Sequence, residues 1–312
     1  MDFSISASAG LGLRRAYTGG HFVFVLDGAP VAGYVKSVDG GFVKGTMVEE
    51  AVGPDLTRFK HLAGVEIEPI TLEMGMAMSR AMLDWIKASW NRQFVRKTGA
   101  IIHADFDLHS QLEQTFQDAL VVETGFPTLD ASSKEPAYLT VKLHPEQVAI
   151  APGTRTPITG LLSPRQKLWS QSRFRLLIDN LDCSRVNKID GFAVKQKVKQ
   201  LHVGSSRLPE LEPTGIEIPN LTLTTSLSHA QQFLAWHDAY VVRGDKDTSQ
   251  ERQGIIEILG PDDEPLFGVV LRNIGILSAA IEKSEANADQ VKRCKVELYV
   301  ESMDLEYGPG LV

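Results

Sequence analysis

Apolar and polar residues alternate along most of this chain, which is the period of a half-buried β-strand. The pair Asp27-Gly28 follows the first alternating run and has the composition of a tight turn. We therefore expect the first two runs to form a hairpin. The alternation predicts six strands in the first half: His21–Leu26, Tyr34–Val38, Ile67–Glu73, Ala100–Asp107, Thr115–Val122 and Ala137–Leu143.

One segment of the first half has a helical period instead. Met82, Trp85 and Trp90 recur at helical spacing, which predicts a single helix over Ser79–Trp90. Ser79 is the expected N-cap, because a serine hydroxyl can accept a hydrogen bond from a free amide of the first turn.

The second half follows a similar plan, with one helix over Ser228–Tyr240 and Ser228 as its expected cap. One helix in roughly 130 residues cannot cover both faces of a sheet, so the strands must fold on themselves. The predicted fold class is mainly β, a β-sandwich or small barrel with one helix per unit, in two repeated domains. The strands expected in the second half are Phe174–Ile178, Gly254–Leu259, Leu266–Ile276 and Val291–Tyr299.

The repeat rests on six short matches between the halves, at separations of 150 to 155 positions. Shared strand–turn patterns of any two β-rich halves are the alternative explanation. The predicted organisation is an N-terminal arm (1–20), a first domain (21–150), a Pro- and Gly-containing linker (151–171) and a second domain (172–312). The matches are Leu26 with Ile178, Gly41-Phe42 with Gly191-Phe192, Ile70–Leu72 with Leu221–Leu223, Trp85 with Trp236, Gly99 with Gly254, and Val141 with Val296.

Composition narrows the possible functions. The chain has 312 residues, 43% hydrophobic and 23% charged, which is ordinary for a globular protein. Its net charge of −7 argues against nucleic acid as a main ligand. We expect no membrane insertion, since no apolar run reaches about 18 residues. We also expect no secretory signal, since the first residues show no charged region followed by an apolar core. Cys183 and Cys294 lack metal-site spacing and are expected to be buried, reduced thiols.

The sharpest chemical candidate is the run from His103 to His109. On a strand, His103, Asp105 and Asp107 would project from one face, and His109 would join them if the strand continued. Imidazole and carboxylate groups can bind a divalent metal. The alternative is a solvated face opposite apolar residues, and we favour it because the second half has no matching histidines.

The remaining candidates have simpler interpretations. Alternating lysines on a presumed strand are either a basic stripe that meets an acidic neighbour or a solvated face, and the methionines are expected to pack in the core around Trp85. No catalytic or phosphate-binding motif is present, so we expect no enzyme activity, catalytic residues, cofactor or metal. The lysines are Lys195, Lys197 and Lys199, and the methionines are Met74, Met76, Met78 and Met82.

The first half resembles the tail tube protein family, which forms the inner tube of contractile phage tails and phage-tail-like injection systems. The resemblance covers about residues 20–150, and more weakly 172–308, where Asp179-Asn180 replaces Asp-Gly and Leu62-Ala63-Gly64 has no clear counterpart. The segments that carry it are Asp27-Gly28, Gly40-Gly41-Phe42, Leu62-Ala63-Gly64, Ile70-Thr71-Leu72, Leu83-Asp84-Trp85, Thr98-Gly99, Leu129-Asp130-Ala131 and Leu139-Thr140-Val141.

The resemblance implies a structural role, because family members form six-membered rings that stack into a hollow tube. Two units per chain imply a ring of three chains that acts as a pseudo-hexamer. Such a ring suits a tube initiator or adaptor between the six-fold tube and a trimeric spike or hub. An ordinary inner-tube subunit with two fused domains, and a soluble β-sandwich ligand-binding module, are the alternatives.

The implied partners are further copies of the chain, inner-tube proteins, spike or hub proteins, and sheath or baseplate proteins. DNA or protein cargo is expected to pass through the lumen without specific binding. The implied location is a phage tail or tail-like particle assembled in the bacterial cytoplasm. Whether His103, Asp105 and Asp107 face that lumen is open at this point.

Overall fold

The computed structural model describes residues 20–30, 35–51, 58–75, 79–158, 169–204, 206–245, 250–282 and 292–308. These ranges are mostly β-strand, with one α-helix in each half, which confirms the mainly β fold class. Within them, no helix is long and apolar enough to cross a membrane. The predicted N-terminal arm lies outside the described residues except for Gly20.

The first half folds into a curled sheet whose main strand order is β2-β1-β7-β8-β10-β6-β3. Helix α1 lies between β6 and β7 in the chain, and β4 and β5 form a separate hairpin. The bounds are β1 His21–Leu26, β2 Ala29–Pro30, β3 Val35–Asp39, β4 Val43–Ala51, β5 Arg58–Ile67, β6 Ile70–Met74, α1 Arg80–Trp90, β7 Lys97–Ala104, β8 Ser110–Phe126, β9 Leu129–Asp130, β10 Leu139–His144 and β11 Gln147–Pro152.

The second half forms a sheet of order β12-β17-β18-β19-β16-β13-β9. Helix α2 lies between β16 and β17 in the chain, and β14 pairs with β15 in a hairpin. The bounds are β12 Phe174–Ile178, β13 Val186–Ile189, β14 Phe192–Leu201, β15 Glu210–Glu217, β16 Leu221–Ser226, α2 Gln231–His237, β17 Arg252–Leu259, β18 Pro265–Ile281 and β19 Arg293–Tyr307.

The two sheets have the same connectivity. Strands β1, β7, β8, β10, β6 and β3 lie beside one another in the order that β12, β17, β18, β19, β16 and β13 follow in the second sheet. The breaks in strand register also correspond. The β7–β8 pairing and the β17–β18 pairing each shift register twice, and each shift in the second sheet lies 155 positions after its counterpart in the first. These shifts fall at Lys97/Gly99 and His103/Ala104 in the first sheet and at Arg252/Gly254 and Ile258/Leu259 in the second.

The pairing registers also correspond in the two hairpins. The β4–β5 register shifts between Thr46 and Met47, and the β14–β15 register shifts 151 positions later, between Lys197 and Val198. This places Pro213-Thr214-Gly215 where the first half has Leu62-Ala63-Gly64, a counterpart that sequence comparison missed. The same offset of 151 positions aligns Gly40 with Gly191, so the sequence match of Gly41 with Gly191 is displaced by one residue.

Two local predictions need correction. Asp27-Gly28 does turn the chain, with φ of 48° and 81°, but leads into the short β2, and β3 pairs with β6 at the other end of the sheet. Turn residues specify a reversal, not the partner of a later strand. The strand expected over Ala100–Asp107 ends at Ala104, and Tyr34 lies outside the described residues.

The helix predictions fared differently in the two halves. Helix α1 begins as expected, with the Ser79 hydroxyl accepting the N–H of Met82 at 3.4 Å. Ser228 is not a cap, because it lies inside a 3-10 turn, and Ala230 precedes α2. A π-helical turn over Asp238–Val242 extends α2.

A single hydrophobic core runs through both halves. Trp85 of α1 and Trp236 of α2 are both buried. Trp169, within the segment predicted as a linker, is also buried and packs edge-on against Phe267 at 6.0 Å between ring centroids. The linker boundaries themselves stay a prediction, since residues 159–168 lie outside the described ranges.

Candidate assembly surface

The two halves meet edge to edge through β-strands. The first four residues of β14, in the second half, pair antiparallel with the last four of β8, in the first half. Phe192 lies opposite Phe126 and Lys195 lies opposite Glu123. Because a strand edge carries unpaired N–H and C=O groups, this pairing satisfies part of an edge that β8 would otherwise expose.

Aromatic rings fill the interior of this junction. The rings of Phe126 and Phe192 stack with centroids 4.7 Å apart and planes 11° from parallel. Trp90, from α1, meets Phe126 at 6.0 Å, and Phe267, from the second half, meets it at 6.2 Å. Such aromatic pairs contribute about 0.5–1.5 kcal/mol each beyond their buried area.

Helix α1 docks on the end of β19 from the other half. Lys87 Nζ donates to the carbonyl oxygen of Leu305 at 2.7 Å, and Asn91 Nδ2 donates to Asp304 Oδ1 at 3.1 Å. The Tyr307 hydroxyl donates to Asp84. The polar side of α1 is therefore part of the contact between the halves.

A carboxylate holds the hairpin of the second half against the first. The N–H of Leu211 on β15 donates to Glu146 Oε1 at 2.8 Å, and Arg96 Nη2 donates to the same oxygen at 3.2 Å. Leu211 is buried by this contact. The junction thus combines strand pairing, aromatic packing and hydrogen-bonded ions.

The strands of both hairpins carry charged residues, but the hairpins differ in the large apolar side chains that they expose. All nine residues of β4 are exposed, and its hairpin presents Met47, Phe59 and Leu62 at 57%, 57% and 59% exposure. The other hairpin carries the alternating lysines Lys195, Lys197 and Lys199, which lie opposite Glu217, Gly215 and Glu212 of β15. Lys197 Nζ is 3.2 Å from Glu217, so the acidic neighbour that sequence suggested lies in the same hairpin.

A groove of about 780 Å³ runs along the sheet at the junction between the halves. Two ion pairs line it, together with Glu135: Lys142 Nζ lies 3.0 Å from both Glu123 carboxylate oxygens, and Lys36 Nζ lies 2.9 Å from Glu73. The hydrogen bond from Lys36 lowers the pKa of Glu73. The lining therefore holds three carboxylates and two lysines, and each lysine pairs with one carboxylate.

The predicted histidine–aspartate face does not form. His103 lies on β7, where its ring meets Phe22 edge-on at 5.2 Å, and burial lowers its pKa. Asp105, Asp107 and His109 lie in the turn after β7, with ligand atoms within 4.8 Å of one another. These three residues lie close together because Asp105 closes the turn: its Oδ1 accepts the backbone N–H groups of Asp107 and His109 at 3.0 and 2.9 Å. The hydrogen bond from His109 also lowers the pKa of Asp105.

The other sequence candidates pack in the interior. Met74 and Met82 are fully buried around α1, while Met76 and Met78 lie outside the described residues. Cys183 and Cys294 are buried free thiols, as expected. Burial raises the pKa of Cys183 to about 11, which keeps it as an unreactive thiol at neutral pH.

Comparison with known proteins gives a matching family for the first half. Residues 20–149 match the family model described as T4-like virus tail tube protein gp19. No curated protein sequence matches the chain. The match ends close to the last strand of the first sheet, so this sheet is the part that is similar to a tail tube protein.

Among the solved structures that are similar to this chain, two are from contractile particles and one is an Hcp protein. The sheath–tube complex of an extracellular contractile injection system (PVC) is 18% identical, with a TM-score of 0.39, over 46% of this chain and 99% of that one. The anti-feeding prophage tube-terminating cap is 21% identical, with a TM-score of 0.40, over 46% and 97%. Hcp1 from Flavobacterium johnsoniae is 16% identical, with a TM-score of 0.31, over 43% and 96%.

Proposed function

We propose that this chain is a structural, ring-forming component of the inner tube of a contractile phage tail or phage-tail-like injection system. It contains two tube-protein units, 21–150 and 172–312, related by tandem duplication. The observation that carries the proposal is the pairing of β14 with β8, which joins two sheets of the same connectivity edge to edge. The match of residues 20–149 to a tail tube family supports it.

The junction between the halves is head-to-tail, because each half contributes a different surface to it. The first half offers the end of β8 and helix α1, and the second offers β14 and the end of β19. Repeated head-to-tail contacts close into a ring when the rotation per unit divides a full turn. Three chains would supply six units, a pseudo-hexamer that stacks on a six-fold tube.

The difference between the hairpins favours a specialised position in the tube. In a ring of three chains, β4–β5 hairpins, which expose Met47, Phe59 and Leu62, would alternate with β14–β15 hairpins, so the ring surface would repeat three times rather than six times around the axis. Such a ring suits an initiator or adaptor between a six-fold tube and a trimeric spike or hub. Its partners would be inner-tube proteins, spike or hub proteins, and neighbouring sheath or baseplate proteins.

The paired charges along the groove support a passive lumen. Lys142 pairs with Glu123 and Lys36 with Glu73, and Glu135 leaves the groove slightly acidic, so this surface would repel rather than hold a passing polyanion such as DNA. DNA or protein cargo would then move through without specific binding. The proposed function is architectural, with no catalytic residue, and the particle would assemble in the bacterial cytoplasm.

The test is the stoichiometry of the purified full-length chain, by native mass spectrometry and by symmetry in negative-stain class averages. We expect annular particles with a central channel and three chains per ring. Six chains per ring would make the protein an ordinary tube subunit with two fused units. A monodisperse monomer, alone and with the other proteins of its particle, would contradict the tube role and favour a ligand-binding β-sandwich.

A further inference from the structure

We propose that the two ends of the molecule carry complementary halves of a second junction, through which one chain binds the next. The front face consists of Val241, Val242, Leu277 and Ile281 in the second half, and the back face of Phe42, Val43 and Ile150 in the first. The partner is a second copy of this chain. This inference rests on the proposed function and adds the residues and the strand register of the contact.

The correspondence of the two sheets defines where the second junction lies. Strand β4 occupies the place of β14, and Ser278–Ile281 at the end of β18 occupies the place of Glu123–Phe126 at the end of β8. Among the described residues, β4 pairs only with β5. β17 pairs with β18 no further than Ile274, so the equivalent edge of β18 has no partner within the described ranges.

If β4 pairs with β18 of the next chain in the register that β14 has with β8, the residue pairs between chains can be predicted. Val194 pairs with Thr124 inside the chain and is 2% exposed. Its counterpart Val43, which is 51% exposed, would pair with Ala279 of the next chain. Phe42 would then lie opposite Ala280. The strand pairing that joins the halves would thereby continue from chain to chain, and it would cover Phe42, Val43 and Ile281.

The contact of helix α1 with β19 inside the chain also has a counterpart between chains, and there the exposed residues are apolar. In the internal junction, Asn91 and Lys87 of α1 reach Asp304 and Leu305 of β19. By the same register, Ile150 takes the place of Leu305. Val242 is the last residue of the π-helical turn that extends α2 and precedes its C-cap Arg243, as Trp90 precedes the C-cap Asn91 of α1. Val242 and Ile150 are 67% and 47% exposed, so both present apolar surface where the internal junction is polar. Bringing them together would remove this surface from water.

Charge complementarity supports the same pairing. Inside the chain, Glu146 accepts the N–H of Leu211. The counterpart of Glu146 is Glu301, and the counterpart of Leu211 is Lys60. Both residues are exposed, and Lys60 Nζ already lies 2.8 Å from Glu49 Oε1 in its own hairpin. Glu301 of the next chain would add a second carboxylate beside this lysine at the contact between chains. Complementary charges of this kind set the register and steer association.

A charge-swap experiment tests this pairing in the full-length chain. Glu301→Lys and Lys60→Glu should each lower the fraction of chains in rings about tenfold or more at low salt, since each places like charges together. The double variant should recover most of the assembly. Lys134→Glu, an exposed charge reversal away from both faces, should assemble like the wild type.

Cysteine cross-linking tests the register independently. Val43→Cys combined with Ala279→Cys should give covalent multimers under mild oxidation, because opposed antiparallel residues bring Cβ atoms within about 5.5 Å. Val203→Cys combined with Ala279→Cys is the control, since Val203 is equally exposed but lies on neither face. It should give none.

The outcomes separate the inference from the proposed function. Wild-type rings that are insensitive to both single charge reversals, and that give no Val43–Ala279 cross-link, would overturn the inference and leave the tube role standing. Failure of the wild type to assemble at all, without cross-linking in any variant, would contradict both.

Discussion

At the scale of single residues, one buried polar pair ties the halves together. The Ser89 hydroxyl of α1 lies 2.8 Å from Gln196 Oε1 of β14 and 3.0 Å from the carbonyl oxygen of Val121. A hydroxyl has one proton for these two acceptors, while Gln196 Nε2 has no partner among the described residues. Turning the amide makes Nε2 the donor to Ser89 and leaves the hydroxyl proton for Val121, so that the amide atom without a partner becomes Oε1.

Ser89→Ala should therefore lower the free energy of unfolding by about 1–3 kcal/mol, because it leaves the buried Gln196 amide unpaired. Gln196→Leu in the same background should recover part of that loss. The measurement is a double-mutant cycle by urea unfolding, with coupling energy as the readout. Strictly additive effects of the two substitutions would show that the pair contributes nothing as a pair.

At the scale of elements, the two helices begin by different means. Helix α1 starts at a serine cap that accepts the Met82 N–H. Helix α2 follows a 3-10 turn, and its N-cap Ala230 makes no side-chain hydrogen bond to the helix. Ser228 instead forms exposed hydrogen bonds with Ser226 and His229. The same residue type thus caps one helix and not the other.

Ser79→Ala should lower the free energy of unfolding by about 1 kcal/mol, since it removes the acceptor for a first-turn amide. Ser228→Ala is the matched control and should change stability by less than about 0.5 kcal/mol. Chemical denaturation of both variants measures the difference. Equal losses would mean that Ser228 stabilises α2 in a way its hydrogen bonds do not indicate.

At the scale of the whole molecule, the halves share their interior. Phe126 of the first half contacts Phe192 and Phe267 of the second, and Trp169 packs between the two sheets' residues in the same core. Separating the halves would expose these rings to water. We therefore predict that the two halves unfold together rather than as independent domains.

We accordingly expect one cooperative unfolding transition, with coincident midpoints by far-UV circular dichroism and tryptophan fluorescence. Phe126→Ala should lower the free energy of unfolding by about 3–5 kcal/mol, as for other large aromatic deletions in cores, and keep the transition single. Two resolved transitions in the wild type would show instead that the halves unfold separately.

The sequence by itself determined what depends on local pattern. The period-2 alternation gave the β class, the helical spacing of Met82, Trp85 and Trp90 gave α1 with its cap, and the repeated segments suggested two similar halves. The resemblance of the first half to tail tube proteins suggested a structural role in a tube before any strand pairing was known. These features are readable because propensity, burial period and capping act over a few residues.

Only the tertiary structure decided which strands pair and which edges stay open. The partner of β3, the end of β7 before Asp105, and the counterpart of Leu62-Ala63-Gly64 all depend on register between distant segments. So does the junction of β14 with β8, on which the assembly surface rests. Alternation specifies that a strand has a buried face, but any strand with a matching edge can satisfy its backbone groups, so the packing of the whole chain selects the partner.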